Sequence, residues 1–397
     1  MTHYLKGLDY AAAGQYGQAQ SEWQFGVWED PSSPQCWEQL GDFYTQAHQY
    51  VKAERCYEQT THLLPDDGMQ FLQLARTEKA LGNSPAAMAA AKRAAMLIPN
   101  NADALALYGS LEGDLDNRPA ALGALERAFA LRPLDRGTVL ALAYVDLRGT
   151  DNDAAVHHLT PYLQAHPEDP EACYLMAYTL LQQASAPGPL LTALASVQRA
   201  QKYLPKDVRV YSVEGKIDLR LNRPQDALIA FQAGRRVDPY SEGILQGVLT
   251  SEVRLGQTQK ANVTATELQQ VTLRHNRIEH LEQMSDMKQN STADGLELAR
   301  LQEEEGENRV AQTQLEQTLR RAPRDPRAHA ALAAFLQRMG RPDLAKQVAR
   351  PNFVLLTDAS LSPTPPPPAP IAPDTRSASP TPPATPPDRD TRPRTRR

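Results

Sequence analysis

CWEQLGDFYTQAHQYVKAERCYEQTTHLLP, residues 36–65, carries the pattern on which the reading of the whole chain turns. Trp37, Leu40, Gly41 and Tyr44 are spaced i, i+3, i+4, i+7, which places them on one face of a helix. Ala53 and Tyr57 follow at i, i+4 on a second helix, and the small Gly41 and Ala53 permit the two helices to approach closely. Pro65 stops the second helix, because its ring clashes with the preceding turn and it has no N–H to donate. The stretch reads as a helical hairpin ended by a proline.

That proline is one of a series. Pro31, Pro65, Pro99, Pro133 and Pro167 are each 34 residues apart, and Pro205, Pro239 and Pro323 follow at 38, 34 and 84. The 38 is one period plus four residues and the 84 is two periods plus sixteen. A fixed period in this range means a repeat architecture, and it governs everything else. Projecting the register gives Phe71-Leu74-Ala75 with Ala87-Ala91-Ala94-Pro99, then Leu105-Tyr108-Gly109 with Leu125-Ala128-Pro133. Val139-Leu142-Ala143 with Ala155-Leu159-Pro167 comes next, and Tyr211-Glu214-Gly215-Asp218 with Ala227-Phe231-Gly234-Pro239 after the first insertion. Glu214 stands at a position that is usually apolar, and Thr318 at one where Ala is commoner. Turns are marked by Pro, Gly and Asp/Asn, as in Leu81-Gly82-Asn83-Ser84-Pro85, and no segment reads as a strand.

The pattern resembles the tetratricopeptide repeat family. Its W-L-G-Y and A-F-P signature is similar to Trp37-Leu40-Gly41-Tyr44 and Ala53-Tyr57-Pro65 here. The resemblance covers about residues 1–350, as some ten repeats starting near residues 1, 34, 68, 102, 136, 170, 208, 242, 292 and 326. It implies an all-α, right-handed α-solenoid of stacked helix-turn-helix repeats, with first helices lining a concave groove and second helices on the convex side. It also implies that positions 2, 5, 9, 12 and 13 of each repeat face that groove.

Four segments are expected along the chain: a main array over 1–272, an extra helix or helical extension over 273–291, two further repeats over 292–350, and a tail over 351–397. Ser185-Ala186-Pro187-Gly188-Pro189 carries the four-residue insertion and is expected to lengthen the turn inside the sixth repeat. Leu273, Ile278, Leu281, Met284 and Met287 form a rough helical stripe, so the sixteen surplus residues are expected to extend the second helix of the eighth repeat or to follow it as one more helix. Of residues 361–397, thirteen of 37 are proline, which predicts polyproline II or disorder.

The chain has 42 Lys and Arg against 47 Asp and Glu, a net charge of −5. Residues 361–397 carry six Arg and three Asp, so the remainder stands at −8. This balance argues against a nucleic-acid partner or a polybasic membrane surface. No stretch approaches the ~18 consecutive apolar residues of a membrane helix, and Lys6, Asp9 and Gln15 interrupt any leader-like start. Cys36, Cys56 and Cys173 are too few and scattered for a disulfide framework, so a reducing, cytoplasmic setting is expected.

No catalytic or cofactor constellation emerges. There is no phosphate-cradling glycine loop, no Cys-x-x-Cys, and the adjacent His157 and His158 point about 100° apart on a helix. Glu303-Glu304-Glu305 reads as a solvated charged face, and Cys173 as a small buried hydrophobe. The expected function is therefore a non-catalytic scaffold that binds a protein or peptide, without cofactor or metal. The groove positions implied by the resemblance hold a mixed early set (Glu38, Asp42, Arg76, Lys79, Asp103, Asp114) and a later set of different character. In the later set, Leu140, Tyr144, Arg148, Glu171, Tyr174, Tyr178, Arg209, Lys216, Arg220 and Arg254 combine five cations, one acid and three tyrosines. Tyr and Arg dominate interface energetics, so Tyr144, Arg148, Tyr174, Tyr178, Arg209, Lys216, Arg220 and Arg254 are the candidate site for an acidic and apolar segment. The alternative is self-assembly through the end repeats or the 273–291 helix; the oligomeric state is left open by the sequence. Neither the Lys/Asn carboxylate clamp of chaperone-tail-binding relatives nor the asparagine ladder of the N-acetylglucosamine transferases occurs here.

Overall fold

Helices alternate between two roles along the chain, and the sequence states how each begins and ends. The computed structural model describes residues 2–184, 186–287, 290–350 and 353, and among these it contains twenty helices and no strand. Odd-numbered helices open each repeat: α1 (Thr2–Ala12), α3 (Pro34–Gln46), α5 (Gly68–Leu81), α7 (Ala102–Asp114), α9 (Arg136–Arg148), α11 (Pro170–Gln183), α13 (Val208–Arg220), α15 (Glu242–Arg254), α17 (Thr292–Glu304) and α19 (Pro326–Arg338). Even-numbered helices close them: α2 (Tyr16–Glu29), α4 (Tyr50–Leu63), α6 (Ser84–Leu97), α8 (Arg118–Leu131), α10 (Asn152–Ala165), α12 (Pro187–Tyr203), α14 (Pro224–Val237), α16 (Thr258–Asp286), α18 (Asn308–Arg321) and α20 (Pro342–Val348). We call them A and B helices. The architecture is an all-α solenoid.

Three signals recur at the repeat spacing and set these boundaries. Asp67, Asn101, Asp135, Asp169, Asp207 and Asp325 precede A helices, and each side chain accepts a backbone N–H of the first turn. The A-to-B turn places one residue in the left-handed region: Gly14, His48, Gly82, Asp116, Thr150, Asn222, Gly256, Gly306 and Gly340. The next N–H then reaches back across the helix end, as from Asn83 to Glu78 O at 2.9 Å, which satisfies an orphan carbonyl. Finally, each periodic proline lies two residues beyond the B helix it follows, as Pro65 does beyond Leu63. Their carbonyls accept hydrogen bonds from the following A helix, as from Trp37 to Pro31, Tyr211 to Pro205 and His329 to Pro323. Arg93 and Arg127, on B helices, do the same for Pro65 and Pro99.

The core is a chain of local clusters, as expected where each repeat buries its apolar face against its neighbours. Gly41 works by proximity: a Cβ there would lie 2.7 Å from the buried ring of Tyr57, whose hydroxyl donates to Asp42 at 2.7 Å. Thr318 is accommodated by Gly295, where a Cβ would lie 2.4 Å from the Thr318 hydroxyl, and that hydroxyl donates to Gln314 O. All three cysteines are buried and unpaired.

Two expectations are corrected. The four-residue insertion does not lengthen the turn of the sixth repeat. Three residues separate α11 from α12, as they do α9 from α10, and the extra residues go into the helices: α11 has 14 residues and α12 has 17. Pro187 and Pro189 are compatible with this because the first turn of a helix makes no use of their missing N–H groups. The Glu303–Glu305 run is not a free solvated face either. Glu303 pairs with Arg338 at 2.7 Å, Glu304 with Arg274 at 3.7 Å, and Glu305 with His275 at 3.2 Å.

The helices gather into two compact units that divide in sequence between Thr272 and Leu273. In the first, A helices of successive repeats touch one another from α7 through α15, while B helices touch only A helices to a comparable degree. The stack therefore closes up along its A helices. α16 runs unbroken for 29 residues. Its later part packs in the second compact unit, where Ile278 and Leu281 meet Leu298 and Leu301, and Arg277 pairs with Glu297 at 2.7 Å. Of the proline-rich tail expected over 351–397, all but Phe353 lies outside the described residues. Among the described residues no helix is long and apolar enough to cross a membrane.

Candidate functional site

The later A helices of the first compact unit bring the candidate residues onto adjacent rods. α9 carries Leu140, Tyr144 and Arg148; α11 carries Glu171, Tyr174 and Tyr178; α13 carries Arg209, Lys216 and Arg220; and α15 carries Arg254. Their spacing by three or four residues within each helix keeps them on one stripe.

Four of these side chains, with Asp207, form one network across three repeats. The Tyr144 hydroxyl donates to Glu171, and the Arg209 guanidinium donates to both Glu171 oxygens at 3.3 and 3.2 Å. Arg209 also grips Asp207, the residue that caps its own helix, at 2.6 Å. Its guanidinium carbon lies 4.6 Å from the Tyr174 ring centroid, and the Tyr174 and Tyr178 rings stack 6.2 Å apart. A guanidinium over an aromatic face adds attraction to the ion pairs. The bond to Arg209 holds the Asp207 carboxyl below its ordinary range, and Asp207 in turn holds Arg209 above its own. Burial pushes the Tyr174 phenol up to about 12, and burial followed by the Glu171 bond raises Tyr144. Both phenols therefore keep their protons near neutrality, and that of Tyr144 acts as a donor.

The other arginines have a job within the stack. Arg148 donates to Gly113 O at 2.5 Å, Arg220 to Leu181 O at 2.5 Å and Ala184 O at 3.3 Å, and Arg254 to Leu219 O at 2.7 Å. Each is the last residue of its A helix and reaches the carbonyl end of the preceding one, where unsatisfied C=O groups and the helix dipole favour a cation. Lys216 differs from them: it is exposed, and no hydrogen bond or ion pair joins it to the described residues. The charge count from sequence missed Asp207, which neutralises Arg209. Its position as an N-cap was the available signal.

A concavity of about 370 Å³ opens beside this network between α7 and α9. Ser110, Gly113 and Ala141 leave room there, and Tyr144, Val145 and Arg148 line it with Asp114. A second concavity, about 350 Å³, lies between α12, α13 and α14, where Glu214, Asp218, Asp226 and Arg223 face one another. Burial, reinforced by Glu214 and Asp226, raises the Asp218 carboxyl to about 6. Glu214, the acid at an otherwise apolar repeat position, is also raised by burial and accepts from Gln198 at 3.4 Å.

Residues 296–350 match the family model described as tetratricopeptide repeat. Over 84 residues, 21% of this chain, the sequence is 31% identical to Superkiller complex protein 3 of Homo sapiens, and the match spans 5% of that protein's length. Among solved structures, the chain is similar to a tetratricopeptide repeat protein from Parabacteroides merdae, at 16% identity and a TM-score of 0.44, covering 63% of this chain and 99% of that one. It is also similar to PilW, described as a widely conserved type IV pilus biogenesis factor, at 21% identity and a TM-score of 0.46, covering 54% and 97%. A third, YrrB, described as a TPR protein with an unusual peptide-binding site, is 16% identical with a TM-score of 0.42, covering 48% and 96%.

Proposed function

We propose that this chain, which belongs to the tetratricopeptide-repeat proteins, is a non-catalytic scaffold that holds a segment of a partner protein along the A helices of its fourth to eighth repeats. The observation that carries the reading is the Tyr144–Glu171–Arg209–Tyr174 network. It fixes aromatic and guanidinium groups on three successive helices before any ligand arrives. Preorganised side chains of these types lose little entropy on binding. Tyr144 remains 41% exposed and borders the concavity between α7 and α9, which suits an apolar side chain of the segment. Because Glu171 and Asp207 offset Arg209, the preference for acidic groups rests on Lys216 and on the free donors of Arg148, Arg220 and Arg254.

The non-catalytic part of the reading is supported by what the reactive side chains are doing. Cys56 and Cys173 are buried thiols with raised pKa, Cys56 to about 12, and a thiol is a poor nucleophile until it ionises. His158 is bound to Asp146 at 2.8 Å, and both ring nitrogens of His329 bond to backbone carbonyls.

The test uses the full chain as bait in native lysate, followed by titration of the captured segment as a labelled peptide. Tyr144→Ala combined with Lys216→Glu is expected to weaken binding by roughly thirtyfold, the scale of one interface hot spot. Unchanged affinity in a variant whose helical signal matches the parent rejects the site.

Self-association through the first repeat is a second reading, favoured by Phe25 and Trp28 on α2, which are 58% and 81% exposed. Sedimentation over a concentration series decides it: a single species at the 43.8 kDa of one chain excludes it.

A further inference from the structure

Five A helices carry an acid at the same repeat position: Glu78, Glu112, Asp146, Asp218 and Glu252. All are buried, with 9% exposure or less. A carboxylate out of water requires a donor or a counter-charge. In four of the five the partner is direct. Asn117 donates to Glu112 at 2.7 Å, His158 meets Asp146 at 2.8 Å, Thr264 donates to Glu252 at 2.8 Å, and the charge of Arg223 acts on Asp218.

Glu78 is balanced least: Asn83 favours its charged form, but one of its oxygens is left bare. It is 4% exposed, and its Oε2 is buried with no hydrogen-bond partner. What faces it is more negative charge. Glu54 and Glu58, one turn apart on α4, bring their carboxylate oxygens within 4.8 Å of it and of each other. Among the described residues none of the three acids makes an ion pair. The matching places opposite the other buried acids hold Met88 with Lys92, Leu122 with Glu126, Leu194 with Gln198, and Leu228 with Gln232. At these places on the preceding B helix only Glu78 meets two carboxylates, and one of these, Glu54, occupies a place that is apolar in those four repeats.

We propose that Glu54, Glu58 and Glu78 bind one hard divalent cation, Ca²⁺ in preference to Mg²⁺, at the junction of the second and third repeats. The donors are all carboxylate oxygens, the ligand type of hard cations. Mg²⁺ demands near-ideal octahedral geometry and gives up its water reluctantly, whereas Ca²⁺ accepts irregular sets of carboxylates. Three converging carboxylates with no further shaped ligand therefore suit the larger ion. Burial, then the charge of Glu54 and a smaller push from Glu58, raises the Glu78 carboxyl, against the bond it accepts from Asn83. A bound cation removes that cost and ties α4 to α5.

The experiment is calorimetric titration of the chelator-treated full chain near neutral pH, with Ca²⁺ and Mg²⁺ separately, on wild type, Glu54→Gln, Glu78→Gln and Glu112→Gln. The near-isosteric amides preserve shape, and circular dichroism confirms that each variant is folded. Expected is one Ca²⁺ per chain with a Kd of about 10⁻⁴–10⁻³ M, weaker Mg²⁺ uptake, and a loss of roughly tenfold or more in Glu54→Gln and Glu78→Gln. Glu112→Gln is expected to bind as wild type. No saturable uptake by about 10 mM Ca²⁺ overturns the proposal, as do equal affinities in wild type and both junction variants.

Discussion

Replacing Gly247 by alanine tests the packing logic at its tightest point. Phe231 of α14 is fully buried and lies between Gly215 on the A helix of its own repeat and Gly247 on the next A helix. A Cβ at Gly247 would stand 2.3 Å from the ring, and one at Gly215 would stand 2.6 Å from it. Ordinary contact is about 3.4–4 Å, so the ring must move by more than an ångström, and the second glycine's helix blocks the way out. Overpacking of this kind costs about 1–3 kcal/mol, while alanine in a helix interior returns about 1 kcal/mol relative to glycine. The net expectation for Gly247→Ala is a loss of up to about 2 kcal/mol. Gly123→Ala is the control: it sits in α8 with nothing within 4 Å of its would-be Cβ, and should gain up to about 1 kcal/mol. Urea unfolding followed by far-ultraviolet circular dichroism measures both. Trp23, Trp28 and Trp37 all lie in the first two repeats, so tryptophan fluorescence should shift less than circular dichroism does. If Gly247→Ala stabilises the chain as Gly123→Ala does, Phe231 is not wedged and the close-approach argument fails.

Other consequences are equally direct. Thr150 is a β-branched residue at φ 58° in the A-to-B turn, so Thr150→Gly should stabilise by about 1 kcal/mol, and an unchanged urea midpoint would contradict the turn reading. Asp218 has its folded pKa raised to about 6 from 3.8, so the folded state holds the extra proton between those values and stability falls as pH rises through that window. Asp218→Asn should therefore stabilise by up to about 3 kcal/mol at neutral pH, with the gain vanishing near pH 4 in urea titrations. A gain that is independent of pH would point to packing instead.

The fold was legible because repetition averages out the weakness of local signals. Any one proline ends a helix ambiguously, but Pro31 to Pro167 at one interval cannot be read as anything but a period. The left-handed turn residues were a second period that the sequence hides: Gly82 and Gly256 announce it, while His48, Asp116 and Thr150 fill the same slot with side chains that give no hint. The four-residue insertion was misread as loop because Pro and Gly are turn residues in general, yet Pro187, Gly188 and Pro189 occupy the first turn of α12, where prolines are tolerated. At the candidate site, residue types were visible and commitments were not. Arg148, Arg220 and Arg254 read as ligand-seeking cations, but their carbonyl partners lie 35–39 residues earlier, beyond any local pattern.

Those three arginines show why a repeat array blurs the line between stability and recognition. The last residue of an A helix is the one place from which a long cation reaches the exposed carbonyls of the previous A helix while leaving most of its guanidinium at the surface. One side chain can thus join neighbouring repeats and still offer donors to an acidic ligand. Charge reversal at Arg220 removes the bonds to Leu181 and Ala184 together with any ligand contact, so a lost interaction there would not distinguish the two roles. Lys216 sits one turn earlier on the same helix and is exposed, with no such bond. Its charge serves the outer field alone. A binding energy that follows Lys216 and Tyr144 belongs to the groove, and one that follows only Arg220 belongs to the stack.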